Sequence, residues 1–96
     1  MMVIVSYDVS VVTSSGRRRL RRVARVCTDY GQRVQNSVFQ CLVRHDQWVV
    51  MRAKLLKIID PEEDSLRFYF LGQNWKKRVE HHGTKRVLDL EQPLIT

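Results

Sequence analysis

The alternation of apolar and polar positions predicts several short β-strands along the chain. Residues 2–8, Met-Val-Ile-Val-Ser-Tyr-Asp, are β-branched and almost continuously apolar, which is typical of a central strand buried on both faces. Shorter alternating segments follow, bounded by turn-forming residues. The predicted strands occupy residues 2–8, 32–43 (as two strands around a turn at Asn36-Ser37), 66–71 and, with a weaker pattern, 78–81 and 87–90.

Two other segments have the spacing of amphipathic helices. Over residues 17–30, apolar side chains recur at the i, i+3, i+4 and i+7 positions of one helical stripe. We expect Gly31 to end this helix in the left-handed conformation. A second helix is predicted over residues 47–59, with Asp46 as its N-cap. The two apolar stripes consist of Leu20, Val23, Ala24 and Cys27, and of Trp48, Met51, Leu55 and Ile59.

The order of these elements, β-α-β-β-α-β, predicts an α+β fold: a ferredoxin-like sandwich with an extra C-terminal strand. Both helices are expected to cover one face of the sheet. The opposite face would then carry Ile4, Tyr69 and Leu71, which are too apolar to leave in water. The pattern therefore also predicts a homodimer.

Length and composition narrow the class of protein. The 96 residues suffice for a single domain, with an expected core at about 1–72 and a C-terminal extension at 73–96 that contacts a partner. A hydrophobic fraction of 44% and a charged fraction of 28% argue against a disordered chain. All apolar runs fall far short of the roughly 20 residues that span a bilayer, so we expect no membrane contact and a cytoplasmic location. Two cysteines cannot form a disulfide framework and are expected to be reduced.

Positive charge is concentrated in the first half of the chain. The sequence has 17 Lys and Arg against 10 Asp and Glu, a net charge of +7. Residues 1–44 contain eight arginines but only two aspartates, Asp8 and Asp29. The planar guanidinium group matches the oxygens of a phosphate, so this half favours contact with nucleic acid. An ordinary solvated surface is the alternative.

Four arginines of the first predicted helix lie on the arc opposite its apolar stripe. Like charges on one arc repel one another, so solubility alone explains them poorly. The arc has no Asn or Gln that would read base edges, and we therefore expect contacts to phosphate with little sequence preference. Arg33, beside the predicted hairpin, is a further candidate for phosphate contact. The arginines of this arc are Arg18, Arg21, Arg22 and Arg25.

Asp8 is the candidate ligand for a metal ion. It ends the first strand beside a polar loop, where a carboxylate can bind a hard cation. One aspartate is a poor site by itself, but twofold symmetry would supply a second Asp8, and the pair would share one Mg²⁺ or Mn²⁺. The alternative is that Asp8 only caps the loop or pairs with an arginine. Tyr7 and Ser10, next to it, are further candidates.

Several segments in this order resemble the CRISPR-associated protein 2 family. They are Val-Ser-Tyr-Asp-Val-Ser at 5–10, the arginine-rich first helix, Gly-Gln-Arg-Val-Gln-Asn-Ser-Val-Phe at 31–39, and Asp-Ser-Leu-Arg-Phe-Tyr-Phe-Leu-Gly at 64–72. The closing Leu-Asp-Leu-Glu-Gln-Pro-Leu-Ile at 88–95 adds to the resemblance, which extends over nearly the whole chain.

The resemblance implies a homodimer joined through its sheet faces, often with a C-terminal strand exchanged between subunits. It makes Asp8 the metal-binding and catalytic residue of a Mg²⁺- or Mn²⁺-dependent endonuclease that acts on single-stranded RNA or double-stranded DNA. It also implies a partner, the CRISPR-associated integrase, which the dimer bridges during spacer acquisition. The family's basic and aromatic positions correspond to Arg33 and Phe39, and Arg17 joins the arginines of the first helix.

Two functions therefore remain open. The first is a metal-dependent endonuclease that depends on Asp8. The second is a DNA-binding scaffold that holds DNA for the integrase without cutting it. The loop at 10–15 supplies no second acidic residue, so a metal site in one chain rests on Asp8 and main-chain groups.

Overall fold

The computed structural model describes residues 1–72 and 79–84, which form five strands and two helices. The elements are β1 (Met2–Asp8), α1 (Ser14–Tyr30), β2 (Gln32–Gln35), β3 (Val38–Leu42), α2 (His45–Ile58), β4 (Ser65–Phe70) and β5 (Val79–Gly83). The sheet is antiparallel and its strand order is β2-β3-β1-β4-β5, with β1 at the centre. This confirms the predicted α+β class and the fifth strand at 78–81, while the strand predicted at 87–90 lies outside the described residues.

The register of the central strand separates the two faces of the sheet. Val5 of β1 lies opposite Phe39 of β3 and Phe68 of β4, and all three side chains are buried beneath the helices. The Trp48 ring of α2 meets the Phe68 ring edge to face, with 4.7 Å between centroids. The apolar stripes predicted for both helices therefore pack on this face, as the 3.6-residue period requires.

The other face of the sheet is open in the single chain. Met2, Ile4 and Tyr69 are half-buried there, and 73% of Leu42 is exposed. Leu71, just after β4, is exposed as well. The apolar open face predicted from the sequence is therefore present, although the homodimer inferred from it stays a prediction.

The ends of α1 differ from their predicted form. The helix begins at Ser14 because the hydroxyl of Thr13 accepts a hydrogen bond from the Gly16 amide at 3.1 Å. The left-handed conformation predicted for Gly31 is wrong, since its backbone is extended, with φ of −156°. A Cβ atom there would lie 2.4 Å from Sγ of Cys41, so the close approach of β3 explains the glycine.

The prediction that Asp46 caps α2 is also wrong. The helix begins at His45, and Arg44 is the N-cap, with its amide donating to Oε1 of Gln47 at 2.9 Å. Asp46 instead lies in the first turn, where a negative charge interacts favourably with the helix dipole, and it forms an exposed ion pair with Arg44. The Asp46 carboxylate therefore still stabilises the N-terminal end of α2, but from the first turn and not as the N-cap.

The two cysteines belong to the core, as predicted. Cys27 and Cys41 are free thiols and both are fully buried. Burial raises the pKa of Cys27 to about 12 and that of Cys41 to about 11, so both stay protonated near neutral pH. Within residues 1–72 and 79–84, neither helix is long and apolar enough to cross a membrane.

Candidate active site and nucleic-acid interface

Asp8 lies at the exposed end of the central strand, at the edge of a cleft. It is opposite Ser65 of β4, and Ser6, two residues before it, is opposite Arg67. The cleft has a volume of about 530 Å³. Its lining includes Ser6, Asp8, Leu20, Ser37, Ser65 and Arg67.

The groups in this cleft are suited to a hard cation and a phosphate. One carboxylate and several hydroxyl groups provide the oxygen ligands that Mg²⁺ and Mn²⁺ take, and Mg²⁺ commonly uses one or two carboxylates while keeping several waters. Arg67, whose side chain is positively charged, also lines the cleft. Within the described residues, no three His, Cys, Asp or Glu side chains cluster as a metal site. Among the described residues that line the cleft, Asp8 is the one with a carboxylate.

Tyr7 also lines the cleft, although its side chain and the Phe39 ring are buried on the helix side of the sheet, whereas Asp8 lies on the other face. The Tyr7 hydroxyl donates to the carbonyl of Asn36 at 3.4 Å, and the two rings stack with centroids 6.2 Å apart. Burial raises the pKa of Tyr7, which keeps the phenol neutral. Arg33 remains exposed on β2, with its guanidinium carbon 5.0 Å from the centroid of the Phe39 ring. The Phe39 ring therefore packs against the guanidinium group of Arg33.

Ser10 contacts Asp64 through its main-chain amide, and the sequence analysis did not identify Asp64 as a structural residue. Its amide donates to Oδ1 of Asp64 at 3.1 Å. Asp64 is fully buried, accepts a second amide hydrogen bond from Asp60 at 2.9 Å, and pairs with Nε of Arg19 at 2.8 Å. The sequence did contain a signal for this ion pair. Arg19 precedes the buried Val23 by four residues, so it lies beside the apolar stripe of the helix. A charged side chain in such a position is stable when it is paired with an opposite charge.

The arginines of α1 separate into two groups. Arg19 turns inward to Asp64, whereas the four arginines of the predicted arc are exposed. Arg17 is exposed too, and its guanidinium group donates to the carbonyl of Val11 at 3.2 Å. The structure therefore places Arg17, Arg18, Arg21, Arg22 and Arg25 where a nucleic acid can reach them.

Comparison with known proteins identifies the family. The family model described as CRISPR associated protein Cas2 matches residues 1–79. The chain belongs to the Cas2 family. The match contains β1 with Asp8, both helices and the start of β5, and it confirms the resemblance found in the sequence.

Curated Cas2 proteins are similar to this chain over almost its whole length. The CRISPR-associated endoribonuclease Cas2 of Chlorobaculum tepidum is 61% identical over 95 residues, which cover 99% of both chains. The CRISPR-associated endonuclease Cas2 of Halalkalibacterium halodurans is 52% identical over 95 residues, again covering 99% of both. The names of these Cas2 relatives agree with the predicted CRISPR nuclease.

A solved Cas2 structure has the same fold. The crystal structure of Streptococcus pyogenes Cas2 at pH 6.5 superposes with a TM-score of 0.70 at 57% sequence identity. The alignment covers 83% of this chain and 96% of the other. The fold described above is therefore the Cas2 fold.

Proposed function

We propose that this protein is a metal-dependent endonuclease of CRISPR spacer acquisition that hydrolyses phosphodiester bonds in RNA or DNA. The observation that carries the proposal is the position of Asp8, exposed at the end of the central strand in a cleft that also contains Arg67. The relatives named endoribonuclease or endonuclease support the same reaction class.

Asp8 is the residue that would hold Mg²⁺ or Mn²⁺, with hydroxyl or main-chain oxygens of the cleft nearby. The ion, when bound, supplies a water of lowered pKa and neutralises charge on the phosphate. Arg67 would bind a non-bridging phosphate oxygen and orient the scissile bond.

Two copies of the chain would complete the site. Asp8 and Arg67 belong to the open face of the sheet, as do the apolar residues Ile4, Leu42 and Tyr69. Pairing of two open faces would bury this apolar surface and bring a second Asp8 towards the first. A homodimer is thus part of the proposed function, together with a cytoplasmic location.

A DNA-holding scaffold for the CRISPR-associated integrase is the second candidate. The exposed arginines of α1 favour it, because phosphate contacts need no catalytic carboxylate. Arg33, fixed over the Phe39 ring, adds a cation at the edge strand of the sheet. The two functions are compatible and depend on different residues.

The deciding experiment compares the wild type with Asp8→Asn for cleavage of labelled single-stranded RNA and duplex DNA in Mg²⁺. We expect cleavage to be lost, by tenfold or more, while duplex binding is retained. Mg²⁺ should also raise the melting temperature of the wild type but not of the variant. Asp46→Asn, the same change at an exposed aspartate of α2, should cleave like the wild type.

Two other outcomes are informative. Cleavage that persists undiminished in Asp8→Asn would contradict the proposed active site. Salt-dependent DNA binding without cleavage by either protein would instead leave the scaffold as the function.

A further inference from the structure

The open face of the sheet carries an imidazole close to the Asp8 cleft. Asp8 of β1 lies opposite Ser65 of β4, and Arg67, two residues further along β4, lies opposite His81 of β5. Side chains of directly opposed residues, and of residues two apart on one strand, share a face of a sheet. All four residues therefore belong to the open face, away from the helices.

Ser65 connects this imidazole with the cleft. Its hydroxyl lies 3.4 Å from Nε2 of His81. Only 5% of Ser65 is exposed, and yet it lines the cleft together with Asp8. In the tautomer of His81 that carries its proton on Nδ1, the Ser65 hydroxyl donates to Nε2, and its oxygen can accept a hydrogen bond from a water in the cleft.

The surroundings of His81 favour its neutral form. In residues 1–72 and 79–84, the charged groups that act on it are Arg67 of β4 and His82 of its own strand, while Asp8 of β1 lies beyond Ser65. Partial burial, together with these two basic side chains, lowers the pKa of His81 below its ordinary value. A neutral imidazole can accept a proton, whereas an imidazolium cannot.

The spacing across the sheet leaves room for a substrate. β4 lies between β1 and β5, so the strands that carry Asp8 and His81 are roughly 10 Å apart, twice the usual strand spacing. A phosphate group and a water fit within that span. Arg67 and Ser65 lie on the strand between them, where they can contact the phosphate and the water.

We propose that Ser65 and His81 form a proton relay for the water that attacks the phosphodiester. The inference rests on the proposed function and names the group that takes up the proton. As the water oxygen bonds to phosphorus, its proton moves to Oγ of Ser65, and the proton of Ser65 passes to Nε2 of His81. The ester oxygen leaves with the electron pair of its bond to phosphorus and takes a proton from solvent, to which His81 returns its own.

The test follows cleavage of single-stranded RNA, or of duplex DNA if that is the substrate cut, at saturating concentration in Mg²⁺ from about pH 5 to about pH 9. The wild-type rate should rise with pH and level off at or below about pH 6.5, once His81 is neutral. His81→Gln and Ser65→Ala should each be about 100-fold slower near pH 7 and should keep gaining rate up to the highest pH, because hydroxide from solvent replaces the relay. The double variant should be no slower than either single variant, since the two residues act as a unit.

Two further measurements separate the relay from a structural role. In EDTA, His81→Gln should bind the labelled substrate with a Kd within about twofold of the wild type, because the relay acts on the reaction and not on binding. His82→Gln is the matched control, since it removes the next imidazole of β5, which faces the helices and contacts Glu80. It should keep the wild-type pH profile. Circular dichroism checks that each variant is folded.

The outcomes distinguish this inference from the proposed function. A wild-type pH profile in His81→Gln or Ser65→Ala would overturn the relay, while cleavage that still depends on Asp8 would leave the proposed function intact. A loss of rate that His82→Gln shares, or one explained by weaker binding, would also overturn the relay and assign His81 a structural role. If the wild type cleaves neither RNA nor DNA, both proposals fail.

Discussion

At the scale of single residues, Asp64 connects the loop after β1, the first helix and the turn before β4. Its two oxygens accept hydrogen bonds from the amides of Ser10 and Asp60 and from Arg19. Burial alone would raise the pKa of this carboxyl group. The hydrogen bonds with Arg19 and the two amides outweigh burial, and they hold the pKa below the ordinary value for an aspartic acid.

We expect Asp64→Asn to destabilise the protein by about 2 kcal/mol at pH 7, because a buried arginine contact and one amide lose their acceptor. The lowered pKa of Asp64 means that its contribution is present above the ordinary pKa of about 3.9 and is lost as pH falls through the folded value. The difference between wild type and variant should therefore shrink at pH 3.

Urea unfolding at both pH values measures this effect. Asp60→Asn is the matched control, because Asp60 is only partly buried and its side-chain oxygen accepts one amide hydrogen bond that an asparagine can also accept. A difference that stays the same at pH 3 would show that the charge of Asp64 does not contribute.

The residues that the sequence predicted are those whose position follows from local periodicity. The exposed end of a strand is visible from the strand itself, so Asp8 was found, and a helical period of 3.6 residues places Arg22 and Arg25 on the surface. The ion pair of Asp64 was not predicted, and the conformation of Gly31 was predicted wrongly. Both depend on contacts with other segments, since Asp64 pairs with Arg19 and Gly31 lies against Cys41. Lys54 and Lys57 of α2 are a further case, because they line a basic groove together with Arg22 and Arg25 of α1 only once the two helices pack.

At the scale of elements, β5 is fastened to α2 by charged groups. Nε of Arg52 in α2 donates to both carboxylate oxygens of Glu80 in β5, at 3.1 and 2.8 Å, and His82 also contacts Glu80. Glu80 lies on the helix side of the sheet, opposite Phe68. Sequence periodicity located this strand to within a few residues, but the ionic contact that holds it was not visible in the pattern.

We predict that Glu80→Gln loosens β5 and leaves the central strand unaffected. The expected loss is about 1 kcal/mol, modest because the ion pair is partly exposed. Burial acts to raise the pKa of Glu80, but Arg52 and His82 outweigh burial and hold the pKa below its ordinary value. The contribution is therefore present above the ordinary pKa of glutamic acid, about 4.3, and is lost as the pH falls through the folded value.

Amide hydrogen exchange resolves the two strands. Exchange should accelerate in Val79–Gly83 and stay slow in Met2–Asp8 at neutral pH. Glu63→Gln, at an exposed position in the turn after α2, should change neither strand. Equal acceleration in both strands would mean that Glu80 supports the whole sheet rather than β5.

At the scale of the whole molecule, the two sides of the sheet have different tasks. On the helix side, the core lies between the sheet and the helices, and the basic groove lies on the outer surface of the helices. The open side of the sheet carries Asp8 together with apolar residues such as Leu42. Each chain has a net charge of +7, so two chains carry 2 × 7 = +14. Pairing through the open sides would place both basic grooves on the outside of the dimer.

This arrangement predicts that Leu42→Asp converts a dimer into a monomer. Leu42 is 73% exposed in the single chain and lies opposite Met2 on the open face, so a carboxylate there would be desolvated on pairing without a partner. Val49→Asp is the matched control, because Val49 is a 54% exposed aliphatic residue of α2. Sedimentation equilibrium at micromolar concentration should give a dimer for the wild type and Val49→Asp, and a folded monomer for Leu42→Asp. If cleavage requires two Asp8 carboxylates, Leu42→Asp should lose it together with the dimer, whereas a wild-type monomer would contradict the pairing.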